Sequence, residues 1–339
     1  MRVTATMRDV ARAAGVSVKT VSNVVNDFPH VSEATRLKVR AAIDELGYQM
    51  NFSARNLSLG RTGMITLAVP ELSLAYFAEL SDAVIDAAAE RGYTVLIEQT
   101  GGSREREMEV LFSARRRMTD GLIFSPLALR GHDSPALEVD FPIVLLGERS
   151  LHSRVPHVAM ANTAGARAAT EHLLAQGRRR LAVVGSFDET GTGAGSLRTD
   201  GIRAALRDAG LALDPVLVGR AETWNRSAGA DAMRGLLDAG ARFDAVVGLN
   251  DVLALGAMRV LYERGVDVPG DVAVVGFDDI EEAQFSRPSL TTVDPGRDEI
   301  ARAAVGLLLD RLGREVAAPE PEEVVAGFAL RVRESTTVV

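Results

Sequence analysis

From Gly63 onward the chain alternates short β-branched runs with amphipathic stretches, and this alternation constrains its fold more than any other feature. Residues 65–69, 93–97, 122–124, 143–146, 181–184, 245–249 and 272–277 read as buried strands. Between them, 76–91, 164–176, 197–209, 228–239 and 252–263 carry the 3.6-residue periodicity of helices. Strands alternating with helices build parallel sheets with helices on both faces, joined by right-handed crossovers. About 275 residues of this pattern exceed one sheet of ordinary width, so an α/β body of two lobes is predicted.

The rest of the composition narrows the options. The 339 residues contain 47% hydrophobic and 25% charged side chains, which suits globular domains rather than disorder or coiled coil. Cysteine is absent, which excludes disulfides, thiolate metal sites and a cysteine nucleophile. Apolar runs are strand-sized, so no membrane span is expected. Arg2, Arg8 and Asp9 leave no apolar stretch for a signal peptide, and a cytoplasmic location is predicted.

Charge is uneven. The net charge is −8, yet residues 1–61 hold nine Lys/Arg and five Asp/Glu, a balance of +4 against −12 for the remainder. A basic module on an acidic body points to a polyanionic partner. Within that module Thr6 starts a helix over 7–14, with Asp9 completing a capping box imperfectly, and Gly15 ends it. Ser17 caps a second helix from Val18 to about Asn26. Val21, Val24 and Val25 share one face and are expected to pack on Val10 and Ala14. The other face carries Val18, Lys19, Ser22, Asn23 and Asn26, short and polar enough for base edges in a major groove. Ser32 caps a third helix through Leu46, with Thr35, Val39, Ala42, Ile43 and Leu46 as its inner face, and Gly47 stops it. Two short helices around a glycine turn, with a third behind, form a helix-turn-helix domain.

The run Ala14-Gly15-Val16-Ser17-Val18-Lys19-Thr20-Val21-Ser22-Asn23-Val24-Val25-Asn26, followed by Val31-Ser32, Thr35-Arg36 and Leu46-Gly47-Tyr48, closely resembles the headpiece of the LacI/GalR (lactose-repressor) family. The likeness extends through the whole chain. Many members carry arginine where Asn23 stands, and proline is common where Met50 stands, so neither the operator code nor a rigid hinge entry transfers. The resemblance implies a headpiece over 1–48, a hinge over 49–61 and an effector-binding and dimerisation body over 62–339. It implies a periplasmic-binding-protein type I body with lobe 1 over about 62–160 and 293–325, and lobe 2 over about 161–290 and 326–339. The chain is then expected to pass between lobes near 159–161, 290–293 and 325–328.

DNA contacts are expected from Thr6, Ser17, Val18, Lys19, Thr20, Ser22, Asn23, Asn26, His30, Val31, Ser32 and Thr35, and from Asn51, Ala54, Arg55 and Leu57 in the hinge. Residues 51–60 are too few to hold a helix alone in water. The family implies that two such segments fold together in a minor groove, with Leu57 prying a base step. The expected partners are a near-palindromic double-stranded operator, a second copy of the chain and a small effector.

Residues just past the predicted strands supply aromatic faces and bidentate polar groups: Tyr76, Phe77, Ser125, Glu148-Arg149, Arg198, Trp224, Asn250-Asp251 and Asp278-Asp279. Such an inventory fits a sugar or sugar derivative, with a nucleobase as the alternative if Tyr76 and Phe77 sandwich a flat ring. The resemblance places effector contacts on Tyr76, Phe77, Glu148, Met160, Arg198, Trp224, Asn250 and Asp278. Asp251 and Asp279 are expected to cap helices instead.

Enzyme readings find no constellation. The Gly-rich turn before Leu197 has Ser196 where a dinucleotide fingerprint needs its third glycine, and there is no phosphate-binding G-x-x-x-x-G-K-[ST] loop. The five histidines lack metal spacing. No cofactor is expected. A solute-binding protein would share the body but not the basic headpiece.

Overall fold

A computed structural model describes residues 5–25, 28–48, 61–148, 154–185, 193–312 and 323–337. It divides into two compact units, Met1–Thr62 and Gly63–Val339.

The first unit is a three-helix domain of α1 (Met7–Ala14), α2 (Val18–Val25) and α3 (Glu33–Leu46). Thr6 and Asp9 make a full reciprocal capping box, with Thr6 N–H donating to Asp9 Oδ2 at 3.0 Å and Asp9 N–H donating to Thr6 Oγ1 at 3.4 Å. Gly15 and Gly47 both close their helices at positive φ, 65° and 57°, where a Cβ would be strained. Val10, Ala11, Val21, Val24, Val39 and Ala42 form the core, with Val25, Val31 and Ile43 packed at its edge. Leu46 departs from the expected inner face. It is 38% exposed and borders a surface depression with Ala5, Asp9, Arg12 and Ala13. Thr35 is also not core; it pairs with Ser32.

The second unit contains two six-stranded sheets. The first has order β11-β5-β4-β3-β1-β2, from Glu323–Val325, His157–Ala159, Ile143–Leu146, Gly121–Phe124, Met64–Val69 and Thr94–Gln99. All its pairings are parallel. The second has order β12-β10-β9-β8-β6-β7, from Ala329–Arg331, Thr291–Asp294, Ala273–Phe277, Ala245–Gly248, Leu181–Val184 and Val218–Gly219. Here one edge departs from the parallel expectation: β12 runs antiparallel to β10. The short link from β11 delivers it from the other lobe, so no helical crossover sets its direction.

Each sheet carries its own core. In lobe 1, α4 (Ala75–Ala89) and α11 (Arg297–Arg311) pack Leu80, Val84, Ile300 and Ala304 on Ile65, Leu67 and Ile123, with α5 (Arg104–Phe112) on the same lobe. In lobe 2, the sheet lies among α6 (Asn162–Ala175), α7 (Ala194–Asp208), α8 (Arg226–Asp238), α9 (Asp251–Glu263) and α10 (Glu281–Phe285). The chain passes between lobes after Ala159, after Asp294 and after Val325. The middle passage is later than 290–293, since β10 still pairs with β9 through Val293 and the turn falls at Pro295 and Gly296.

Backbone contact between helices α8 and α9 depends on glycine. A Cβ on Gly256 would meet Arg226 O at 2.1 Å, and one on Gly229 would meet Leu253 O at 2.4 Å. Because both obstacles are main chain, the helices themselves must part to admit a methyl. Gly256→Ala is expected to cost about 1–3 kcal/mol, the range for overpacking, read as a lower urea midpoint for the variant. An unchanged midpoint would contradict this packing.

Candidate functional site

Four strands of the two sheets end around one polar cluster. Arg198, on the first turns of α7, is buried, its side chain only 4% exposed. Its Nε donates to Asn162 Oδ1 at 2.7 Å, Nη1 to Leu249 O at 2.5 Å, and Nη2 to Asp278 Oδ1 at 3.2 Å. The guanidinium lies over the Phe277 ring, 3.6 Å from its centroid, with the Trp224 ring at 5.6 Å. Asn162 turns its amide to Glu148 Oε1 at 3.1 Å, which joins the end of β4 in lobe 1 to the first residue of α6 in lobe 2. Met160, whose Sδ is 3.5 Å from Arg198 Nη2, and Tyr76 pack against the cores of both lobes.

The electrostatics follow from burial. Asp278 is pushed up to about 6, chiefly by burial; Arg198 opposes the rise and Glu148 adds to it. Asp251 is held well above the usual carboxylate range, again by burial first and by Asp278 next. Burial, with Asp278 and Glu148 nearby, also raises the Tyr76 phenol.

The expected site residues fall into place unevenly. Arg198, Asp278, Glu148, Met160, Tyr76 and Trp224 meet at the lobe boundary. Phe77 packs on the lobe 1 core and touches Tyr76 edge-to-face, 5.3 Å between centroids at 68°. Ser125 is buried at the end of β3, beside Gly147. Asn250 is itself the cap of α9, its Oδ1 accepting from Leu253 N–H at 2.9 Å, so its side-chain oxygen is committed to the helix end. Neither expected cap behaves as one. Asp251 is fully buried and accepts from Thr292 Oγ1 at 2.5 Å and Ile280 N–H at 3.0 Å. Asp279 pairs with Arg333 at 2.6 Å. Sequence reasoning did not find Asn162 or Phe277. Asn162 resembles an ordinary helix start, and Phe277 ends an apolar strand; only their distance from Arg198 reveals them.

In the headpiece, Ser17 Oγ accepts from Thr20 N–H at 3.1 Å and the two hydroxyls lie 2.8 Å apart, so Ser17 caps α2. Ser32 does the same for α3. Val18 and Lys19 are exposed, and Ser22 and Asn23 half-buried, on the face away from the core. His30 is exposed and stacks edge-on against Phe28 at 5.6 Å, while Val31 packs on the core. Asn26, Asn51, Ala54, Arg55 and Leu57 lie outside the described residues, as does Arg149.

A helix-turn-helix domain joined to a two-sheet body with polar groups between the lobes defines a DNA-binding regulator with a periplasmic-binding-protein-like body. The sequence comparisons agree. Residues 6–51 match the family model described as bacterial regulatory proteins, lacI family, and 170–336 match a periplasmic binding protein-like domain. The ribose operon repressor of Escherichia coli K12 is 35% identical over 314 residues, covering 91% of this chain and 93% of that protein. The chain belongs to the lacI family of bacterial regulatory proteins. Among solved structures, the Lac repressor dimer bound to operator and the anti-inducer ONPF superposes with TM-score 0.84 at 28% identity, covering 99% of this chain and 100% of that one. The regulator CelR in complex with cellobiose gives 0.71 at 34%, covering 98% and 99%.

Proposed function

We propose that the chain is a transcriptional repressor whose operator affinity is set by a sugar or sugar derivative bound between the two lobes. The observation that carries this reading is the buried Arg198–Asp278 pair at the lobe boundary, flanked by the Trp224 ring. A bidentate donor beside a carboxylate matches vicinal hydroxyls, and an aromatic face matches the apolar side of a pyranose or furanose. The names ribose operon repressor and CelR-cellobiose complex support the same ligand class. The nucleobase alternative loses ground, because Tyr76 and Phe77 contact each other edge-to-face rather than leaving a slot between parallel faces. Within this reading, Asn250, Glu148, Tyr76, Phe77, Met160 and Ser125 complete the effector site. Thermal-shift screening of D-ribose, D-galactose and cellobiose against the full chain tests it: a ligand that binds only the folded state raises the midpoint by mass action. No shift with any sugar would remove the ligand class.

The working form is a two-fold dimer in the cytoplasm, on a near-palindromic operator. One short helix reads only a few base pairs, so specificity needs two half-sites and two subunits. The edge strand β2 exposes Leu96 and Ile97, and Ile85 is exposed on α4 of the same lobe. An apolar sheet edge of this kind calls for a cover, and a second copy supplies it. Domain boundaries follow as headpiece to residue 48, hinge 49–61 and body from 62. Lys19 and Asn23 are the base readers, with Val18 for a thymine methyl and Leu57 of the hinge as the minor-groove wedge. Asn23→Ala is expected to lower affinity for the selected operator by about 1–3 kcal/mol while leaving non-specific DNA binding and its salt slope unchanged. Equal losses on both DNAs, in a filter-binding titration, would make Asn23 structural.

A further inference from the structure

The turn that presents Asp278 is strained and is held from the opposite lobe. Asp278 and Asp279 take φ of 115° and 49°, which side chains with a Cβ rarely adopt, so surrounding contacts must impose this backbone. Lobe 2 supplies some of them: Asp278 N–H donates to Val293 O at 2.9 Å, and the Asp279 carboxylate pairs with Arg333. The carbonyls are held differently. Arg297 Nη1 donates to Asp278 O and Nη2 to Asp279 O, each at 3.3 Å. One planar guanidinium thus spans two successive carbonyls, with two N–H groups held in fixed relative directions that a flexible ammonium does not pre-organise.

Arg297 opens α11, whose buried face belongs to the lobe 1 core. It is fixed there by Glu79 of α4, whose Oε2 is 2.7 Å from Arg297 Nη1. Glu79 Oε1 in turn accepts the Glu281 N–H, on lobe 2, at 2.9 Å. Three hydrogen bonds therefore cross between the lobes through one ion pair, and both side chains are about four-fifths covered, at 20% and 24% exposure. The nearby Glu282 is occupied by Arg226, and Arg331 by Asp294, so these charges are satisfied locally.

We propose that Arg297 is a positioning residue that sets Asp278 from across the cleft, with Glu79 as its anchor, so that effector affinity and lobe closure rise and fall together. Opening the lobes withdraws the guanidinium and releases the strained turn; closing them restores Asp278 to the geometry that a ligand hydroxyl meets. This rests on the reading of Asp278 as an effector group, but the clamp itself can be tested without a ligand.

The chain has no cysteine, so Glu105→Cys on lobe 1 and Glu222→Cys on lobe 2, both exposed, accept one spin label each. Electron–electron distances are measured on full-length labelled protein diluted with unlabelled chain, for the parent, Arg297→Met, Arg297→Lys and Glu79→Gln. The parent is expected to show one narrow distance without sugar. Arg297→Met and Glu79→Gln should broaden it, and Arg297→Lys should recover part of the narrow distribution. Binding of whichever of D-ribose, D-galactose and cellobiose the parent takes should weaken about ten-fold in Arg297→Met, and less in Arg297→Lys. Should Arg297→Met fail to fold, Glu79→Gln carries the same test with the arginine in place. Unchanged distances in the variants would overturn the clamp, and broadened distances with unchanged sugar affinity would overturn the positioning role. A parent that binds none of the sugars would instead refute the effector reading, with the label distances still deciding the clamp.

Discussion

Asp278→Ala is expected to leave operator binding intact and to lose most of the response at effector concentrations that just saturate the parent. The carboxylate lies in the body unit, not in the headpiece, so DNA contacts are untouched. It is only 6% exposed, and a ligand hydroxyl that donates to a buried, charged acceptor gains about 1.5–3 kcal/mol. Losing that bond weakens effector binding roughly ten- to a hundred-fold. The acid–base behaviour gives a second readout. With its carboxyl pushed up to about 6, Asp278 accepts hydrogen bonds as an anion above that pH and becomes neutral below it. Effector affinity of the parent should therefore fall as pH drops through 6, and Asp278→Asn should flatten that profile. Calorimetric titrations between pH 5 and 8 measure both. A full response from Asp278→Ala, or a pH profile shared by parent and Asp278→Asn, would take the residue out of the site.

The second large effect is expected at Arg198. Arg198→Met keeps the length of the side chain over Phe277 and removes its hydrogen bonds to Asn162, Leu249, Asp278 and Met160. What remains is a buried carboxylate without its cation, and removing one partner of a buried pair costs about 3–5 kcal/mol. The sign with pH follows from linkage. Asp278 has its pKa raised on folding from 3.8 to about 6, so the folded state binds more protons in that window. This group therefore lowers stability as pH rises from 4 to 6, and its full penalty is present above 6. Without Arg198 the penalty grows, so the stability gap between parent and variant should be larger at pH 8 than at pH 5. Urea unfolding at the two pH values measures it; a gap that is equal or larger at pH 5 would show that the pair is not the source.

Much of this architecture is legible before any coordinates, and its limits have physical causes. Buried strands such as 143–146 and 181–184 coincide with Ile143–Leu146 and Leu181–Val184, because short continuous apolar runs between helical patterns admit few alternatives. Strand β10, Thr291–Asp294, escapes because half of it is threonine, and its burial comes from hydroxyl bonds to Asp251, Arg333 and Thr336. Helix α5, Arg104–Phe112, is hidden by charge: Glu107 is fully buried yet satisfied by the N–H groups of Leu127, Ala128 and Leu129. Within the site, Arg198 and Asp278 stand out because each follows a strand or a glycine turn. Asn162, Phe277, Glu79 and Arg297 do not, since their roles rest on partners remote in the chain, such as Arg297 on Glu79.

If occupancy of the cleft controls DNA binding, one titration reads it. An operator is first selected from random-sequence DNA with the full-length protein. Its affinity is then measured at fixed salt, with and without a saturating sugar identified by thermal shift. The operator is expected to be near-palindromic, and its affinity to shift about five- to 150-fold, the range of coupling free energies between allosteric sites. The shift should be largely lost in Asp278→Ala at the sugar concentration that just saturates the parent. Operator affinity that is identical with and without a sugar proven to bind the parent protein would contradict that coupling.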